Sequence, residues 1–157
     1  MLAEELKLKI TELHPPTVFE EGTDPIATGW LTMNVEPTAW LSFAGQLRND
    51  PALSFDYLFC LTCIDWKTHL TMVYHLSSTS FRHNIVVKAK MDRSNPEIKT
   101  VSHIWRTAEF HEREVYEMFG VNFLNHPDLR LLILPDGWEG KNPLRKDFDD
   151  PVNMIRL

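Results

Sequence analysis

Two residues separate Cys60 from Cys63, the spacing of a redox-active or metal-holding thiol pair. A thioredoxin-like site sets such a pair at a strand-to-helix junction, where the helix N-terminus favours the thiolate. Here it lies inside the segment from Phe55 to Asp65 (FDYLFCLTCID), with neither Pro nor Gly between the thiols. A structural zinc would need a second ligand pair, and no C-x-x-C or H-x-x-x-H follows. Two buried, unreactive thiols are expected, because Cys packs as a small hydrophobe. The seven His (His14, His69, His75, His83, His103, His111 and His126) show no metal-site spacing either. His111-Glu112 is followed at the ligand position by Val115, and the residue three before His111 is Ala108, so neither H-E-x-x-H nor Glu-x-x-His is present. With 2 Cys no iron–sulfur ligand quartet can form, and with 6 scattered Gly there is no phosphate-cradling loop.

The densest charge lies at Glu109, His111, Glu112, Arg113, Glu114 and Glu117. A solvated helix face accounts for Arg113, Glu114 and Glu117. Glu112 does not fit, because it falls within about 40° of the centre of the apolar face, between Ala108 and Val115. A carboxylate there needs a cation or amide donors, or must press against another protein. Arg130 and Arg145 are the candidate cations. A proton-handling role is the alternative to a structural ion pair.

Several elements must position these groups. Leu2, Leu6, Ile10 and Leu13 predict an amphipathic helix stopped by Pro15 and Pro16. Trp30 to Val35 reads as a strand. Pro37 then opens a helix with Trp40, Leu41, Ala44 and Leu47 on one face. Leu53 to Ile64 predicts part helix and part buried strand. Thr71 to Leu76 and Asn84 to Met91 read as strands, the second alternating Lys88 and Lys90 with Val87, Ala89 and Met91. Ser77 to Ser80 and Asp92 to Glu97 are loops. Apolar positions from Val101 to Phe119 follow one side of one or two helices, ended by Gly120 in the left-handed conformation. Beyond Leu134, Pro and Gly break every period around isolated Trp138, Leu144, Phe148 and Ile155. The expected fold is α+β: a two-layer sandwich of a mixed β-sheet with helices packed on it, plus an extended irregular C-terminal tail. Residues 1–134 form the single domain and 135–157 an interaction tail.

Composition sets the class. The 157 residues, 43% hydrophobic, suffice for one core without staples. A net charge of -6 argues against affinity for nucleic-acid phosphates. The longest apolar runs, Tyr57 to Leu61 and Leu131 to Pro135, fall far short of the roughly 18 to 20 residues that span a bilayer. The segment MLAEELKLKITEL shows neither an h-region nor a cleavage site, so a soluble intracellular chain with reduced thiols is expected.

The run Glu112-Arg113-Glu114-Val115-Tyr116-Glu117-Met118-Phe119-Gly120-Val121-Asn122-Phe123, then His126-Pro127-Asp128-Leu129-Arg130, resembles a family signature. That signature belongs to the 30 kDa (C-type) subunit of proton-pumping NADH:quinone oxidoreductase, respiratory complex I. Its pattern is E-R-E-x-x-D/E-hydrophobic-F-G-I/V-x-F, H-P-D-L-R-R-I/L-L and W-x-G-H-P-L-R-K-D-F. The last block is met by Trp138, Gly140, Pro143, Leu144, Arg145, Lys146, Asp147 and Phe148. Weaker similarity extends upstream through Leu58 to Asp65 and Val73 to Leu76. Two positions depart: Leu131 replaces the second Arg, and Lys141-Asn142 replaces a single His, which lengthens that loop by one residue.

The resemblance implies a structural and assembly subunit without catalytic, cofactor-binding or metal residues of its own. It implies docking on the larger quinone-site (D-type) subunit, near the iron–sulfur subunits of the hydrophilic arm, peripherally on the cytoplasmic face of the inner membrane. NADH, FMN, iron–sulfur clusters and quinone would be held by other subunits. The signature residues become the expected interface, with Arg113, Arg130, Arg145 and Lys146 reaching across it and the tail ordering as it docks. A patch around Val121 and Phe123 is expected to be apolar and exposed. Alternatives are the equivalent subunit of a ferredoxin-linked or membrane-bound hydrogenase-type complex, a free-standing metal or acid–base enzyme using His111, Glu112 and Glu114, or a thiol enzyme using Cys60 and Cys63.

Overall fold

Pro37 supplies a fixed φ where the first helical amides have no partner, and α2 runs from there as Pro37–Asn49. The computed structural model describes residues 3–20, 30–150 and 152. Before α2 come α1 (Ala3–Leu13), β1 (Val18–Phe19) and β2 (Leu31–Asn34). After it come β3 (Tyr57–Asp65), β4 (His69–Ser77), β5 (Asn84–Asp92), β6 (Glu97–Lys99), α3 (Ala108–Phe119) and β7 (Asn122–Leu124). The main sheet has the order β1-β2-β5-β4-β3 and is mixed, since β2 pairs parallel with β5 and the other pairs are antiparallel. This is the expected α+β architecture.

Alternation chooses the faces. In β5, Ile85, Val87, Ala89 and Met91 point into the core while Lys90 is exposed and Lys88 half-buried. Leu6 and Ile10 of α1 and Trp40, Phe43, Ala44 and Leu47 of α2 cover that face. Trp40 is wholly buried, with its ring 4.5 Å from Tyr74 and 6.3 Å from Trp105. Such aromatic pairs add roughly 0.5–1.5 kcal/mol each beyond their buried area. On α2, Phe43 takes the fully buried place expected for Leu41, which is only partly covered. Leu2 and Ile155 lie outside the described residues.

A β-bulge between Leu58 and Cys60 resets the phase of β3. Leu58, Leu61, Cys63 and Asp65 therefore face inward, and Cys60 faces the other side beside its cross-strand neighbour His75.

Two expectations are corrected, and two short strands are added to them. No helix forms between Leu53 and Ile64: the Asp50 carboxylate accepts the Ala52 and Leu53 amides, which sets a turn, and Ser54 adopts φ 44° before the strand begins. The helix expected from Val101 starts only at Ala108. Residues 101–107 make turns, with the Ile104 and Trp105 amides both donating to Val101 O. Val101 and Trp105 reach the core from those turns, which is why their spacing fitted a helical wheel. Strands β6 and β7, three residues each, pair parallel as a second small sheet, too short to show a period.

Candidate docking site

Helix α3 packs against β3, the last strand of the main sheet, and Thr107 at its start donates a hydroxyl hydrogen bond to Leu58 O at 2.7 Å. At the other end Gly120 adopts φ 73° and returns its amide to Tyr116 O. A left-handed residue there closes the helix and turns the chain into β7. Between these ends the charged residues sort by direction. Glu112, Arg113 and Glu117 are buried while Glu114 is exposed.

Among the described residues neither Lys nor Arg forms an ion pair with Glu112. Its carboxylate accepts the Val101 amide at 2.8 Å and the Thr100 hydroxyl, and His126 Nε2 stands 3.7 Å away. Burial pushes its pKa up to about 7, against the lowering effect of those two bonds. The expected partners are elsewhere: Arg130 pairs with Asp128 at 2.9 Å in solvent, and Arg145 Nε donates to Phe119 O at 2.6 Å. Of the expected arrangements, donors rather than a cation are realised: one backbone amide and one hydroxyl, both from residues 100 and 101.

One turn of α3 separates Arg113 from Glu117, and together they grip one passing segment. Arg113 donates to Arg130 O at 3.1 Å and Leu131 O at 2.7 Å. Glu117 accepts the amides of Leu132 at 2.8 Å, Ile133 at 3.0 Å and Leu134 at 3.2 Å. A cation thus takes the carbonyls and an anion the amides of consecutive residues. With the backbone turned inward, the side chains face out: Leu132 is 38% and Ile133 62% exposed. Phe110, on the same side of α3 and under the Arg113 guanidinium, is also exposed.

The chain from 141 to 147 returns to the same helix end. Leu144 N donates to Met118 O at 3.1 Å, and the Asn142 side chain lies against Gly120. Buried Asp65 accepts two bonds from Arg93, at 2.8 and 2.9 Å, and the amides of Lys67 and Lys146, both at 2.8 Å. Arg93 also reaches Asp147 at 2.5 Å. The Arg93 bonds hold the Asp65 carboxyl well below the usual carboxylate range.

The signature residues therefore separate into two sets. Glu112, Arg113, Glu117, Phe119 and Phe123 are inside the chain. Glu114, Pro127, Arg130, Gly140, Leu144, Lys146 and Asp147 are exposed, and Tyr116, Gly120, His126, Asp128, Leu129, Trp138, Pro143, Arg145 and Phe148 are partly so. The exposed patch expected around Val121 and Phe123 is overturned: both are buried, because pairing of β7 with β6 turns Phe123 into the core. Arg113 and Arg145 likewise spend their donors on this chain's own carbonyls. Missing from the expectation were Leu132 and Ile133, legible only as part of an apolar run, and the Asp65–Arg93 pair, whose partners lie 28 residues apart.

Neither thiol is poised to react. Burial pushes Cys63 up to about 12, and burial with the Glu114 charge raises Cys60. Among the described residues no group of three His, Cys, Asp or Glu side chains is placed to hold a metal, and no helix is long and apolar enough to cross a membrane.

Residues 33–152 match the family described as respiratory-chain NADH dehydrogenase, 30 Kd subunit. The chain is 49% identical over 104 residues to the C/D-type subunit of NADH-quinone oxidoreductase of Phocaeicola vulgatus, covering 65% of this chain and 20% of that protein. It is 37% identical over 141 residues to the C-type subunit of NADH-quinone oxidoreductase of Chloroherpeton thalassium, covering 88% and 58%. It thus spans less than two thirds of the length of either relative. Among solved structures, a chain of the membrane-bound sulfane sulfur reductase, an archaeal respiratory membrane complex, superposes with TM-score 0.79 at 27% identity, over 95% of this chain and 86% of that one. A trypsin-resistant fragment (1-134) of Nqo5 shares the fold with TM-score 0.65 at 24% identity, over 82% and 100%.

Proposed function

The chain belongs to the 30 kDa subunit family of respiratory-chain NADH dehydrogenase, and on that premise we propose that it is a docking subunit that holds no cofactor and performs no chemistry itself. Its place is the hydrophilic arm of a proton-translocating NADH:quinone oxidoreductase, peripheral to the cytoplasmic face of the inner membrane. Its partner is the larger quinone-site subunit, flanked by iron–sulfur subunits. NADH, FMN, iron–sulfur clusters and quinone belong to those other subunits.

The observation that carries this reading is the segment 130–134, whose backbone is spent on Arg113 and Glu117 while Leu132 and Ile133 face solvent. Apolar side chains held outward on a rigid backbone suit an interface centre, since little further ordering is needed on docking. Support for the quinone-site partner comes from the Phocaeicola vulgatus relative, whose C/D name joins the two subunit types on one chain. Residues 1–134 make the domain and 135–157 the extension toward the partner, with the part around Leu144 to Asp147 seated on the domain.

The test is an affinity-tagged pull-down from native membranes in mild detergent, for the natural chain and for a Leu132→Asp, Ile133→Asp variant. Recovery of the quinone-site subunit with the natural chain and its loss with the variant is the expected result. Undiminished recovery with the variant would remove the segment from the interface. The similarity to the sulfane sulfur reductase chain favours one second reading, the equivalent subunit of a hydrogenase-type or related membrane complex. Co-purification of that complex's subunits would establish it.

A further inference from the structure

Glu112 is a wholly buried carboxyl that the docking role does not use. Its surroundings are a chain of hydroxyls. Thr100 Oγ1 is bonded to the Glu112 carboxyl and lies 2.8 Å from Ser102 Oγ, while accepting the Ser102 amide at 3.1 Å. Ser102 in turn lines a surface groove with His103, Arg106 and Glu109. A threonine hydroxyl has one hydrogen and can point it either way. With Glu112 ionised, Thr100 donates to the carboxylate and Ser102 donates to Thr100. With Glu112 protonated, the acid donates to Thr100 and Thr100 donates to Ser102. Both directions keep these contacts.

The imidazole beside it reports which state the geometry holds. His126 Nδ1 accepts the Asp128 amide at 3.0 Å, so the ring hydrogen is on Nε2. That N–H donates to Glu109 O at 3.0 Å and stands 3.7 Å from the Glu112 oxygen. A buried anion would draw this donor to itself; a neutral acid leaves it on the carbonyl.

We propose that Glu112 is a proton-binding site, filled from the Ser102 groove through the Thr100 hydroxyl, and that loss of its proton transfers the His126 N–H from Glu109 O to the carboxylate. The proton comes from solvent hydronium and returns to it, so no other reactant is needed. The groups facing Glu112 from each neighbouring element are His126 on the turn after β7, Tyr74 on β4, and the hydroxyls of Thr100 and Ser102. On its own helix Glu109 is at the groove, and Arg113 is turned to the 130–131 carbonyls.

The experiment is a carboxyl-carbon NMR titration of the full chain labelled with ¹³C-glutamate. The resonance absent from Glu112→Gln assigns the residue. Expected is a midpoint near neutrality, about 7 against an ordinary 4.5, which is on the order of 300-fold tighter proton binding. Thr100→Val, which removes a donor to the anion, should raise the midpoint further, by roughly tenfold in affinity. This variant also identifies the resonance if Glu112→Gln does not fold. A midpoint in the usual glutamate range, or no titration between pH 4 and 9, would overturn the proposal.

Stability supplies a second readout with a defined sign. An acid whose folded pKa is raised contributes stability that is complete below the unfolded pKa and is lost as pH rises through the folded one. Burial lowers the pKa of His75 and of His83, which drives the dependence the opposite way. The natural chain should therefore lose stability relative to Glu112→Gln as pH rises from about 4.5 to about 7, with little further loss above. Parallel curves would count against the site.

Discussion

Glu117 holds the backbone of Ile133 while Ile133 itself faces solvent: the carboxylate accepts its amide at 3.0 Å, and the residue is 62% exposed. A carboxylate in the last turn of a helix opposes the macrodipole. Three amides on a buried oxygen pair offset that cost, and the outward set of the apolar side chains follows. Glu117→Ala should cost roughly 1–3 kcal/mol, because three part-buried amides lose their acceptor. Denaturant unfolding would measure it, and amide exchange should quicken at Leu132, Ile133 and Leu134. A loss below about 0.5 kcal/mol would mean that water replaces the carboxylate freely.

Gly120→Ala should destabilise by about 1–2 kcal/mol, from the left-handed backbone and from crowding together. A Cβ at this position would fall 2.7 Å from Asn142 Nδ2, at φ 73°. Asn142 is itself at φ 49°, so Asn142→Gly relieves the crowding without backbone strain. The double variant should recover part of the loss in thermal unfolding, and additive costs would show that the two residues do not meet.

Asp65 makes the join between β3, Arg93 and the tail sensitive to acid. Its carboxyl is held low in the fold, chiefly by the Arg93 bonds, so the unfolded chain takes up the proton first. The stability it contributes is present above the unfolded value and disappears as pH falls below about 4. Arg93→Gln should flatten the acid limb of the unfolding curve, and an unchanged limb would assign acid lability to other carboxylates.

The thiols should behave as packing groups. Cys63, at about 12, carries almost no thiolate at pH 8, and a disulfide-exchange reagent should reach it only on unfolding. Cys60, half-buried and also raised, should react slowly in the folded chain. Rapid labelling of both would contradict their burial.

The sequence alone carried the elements whose apolar spacing repeats. Ile85, Val87, Ala89 and Met91 alternate strictly, and Leu6, Ile10 and Trp40, Ala44, Leu47 recur at helical spacing, so strand, helices and core faces were legible. It also placed a carboxylate, Glu112, on an apolar face and called there for a cation, amide donors or another protein. Local pattern failed where a turn imitated a period, as at Val101 and Trp105, and where strands were three residues long.

Which partner each charge takes was decided only in three dimensions. Glu112 is bonded to residues 100 and 101, Arg113 to 130 and 131, Glu117 to 132–134, and Asp65 to residues 93 and 146. Type and spacing say that a buried ion must be satisfied, a requirement set by desolvation. They do not say by which backbone, because that depends on where Gly120 and the 126–130 turn send the chain. The direction in which Leu132 and Ile133 point is a result of that return path.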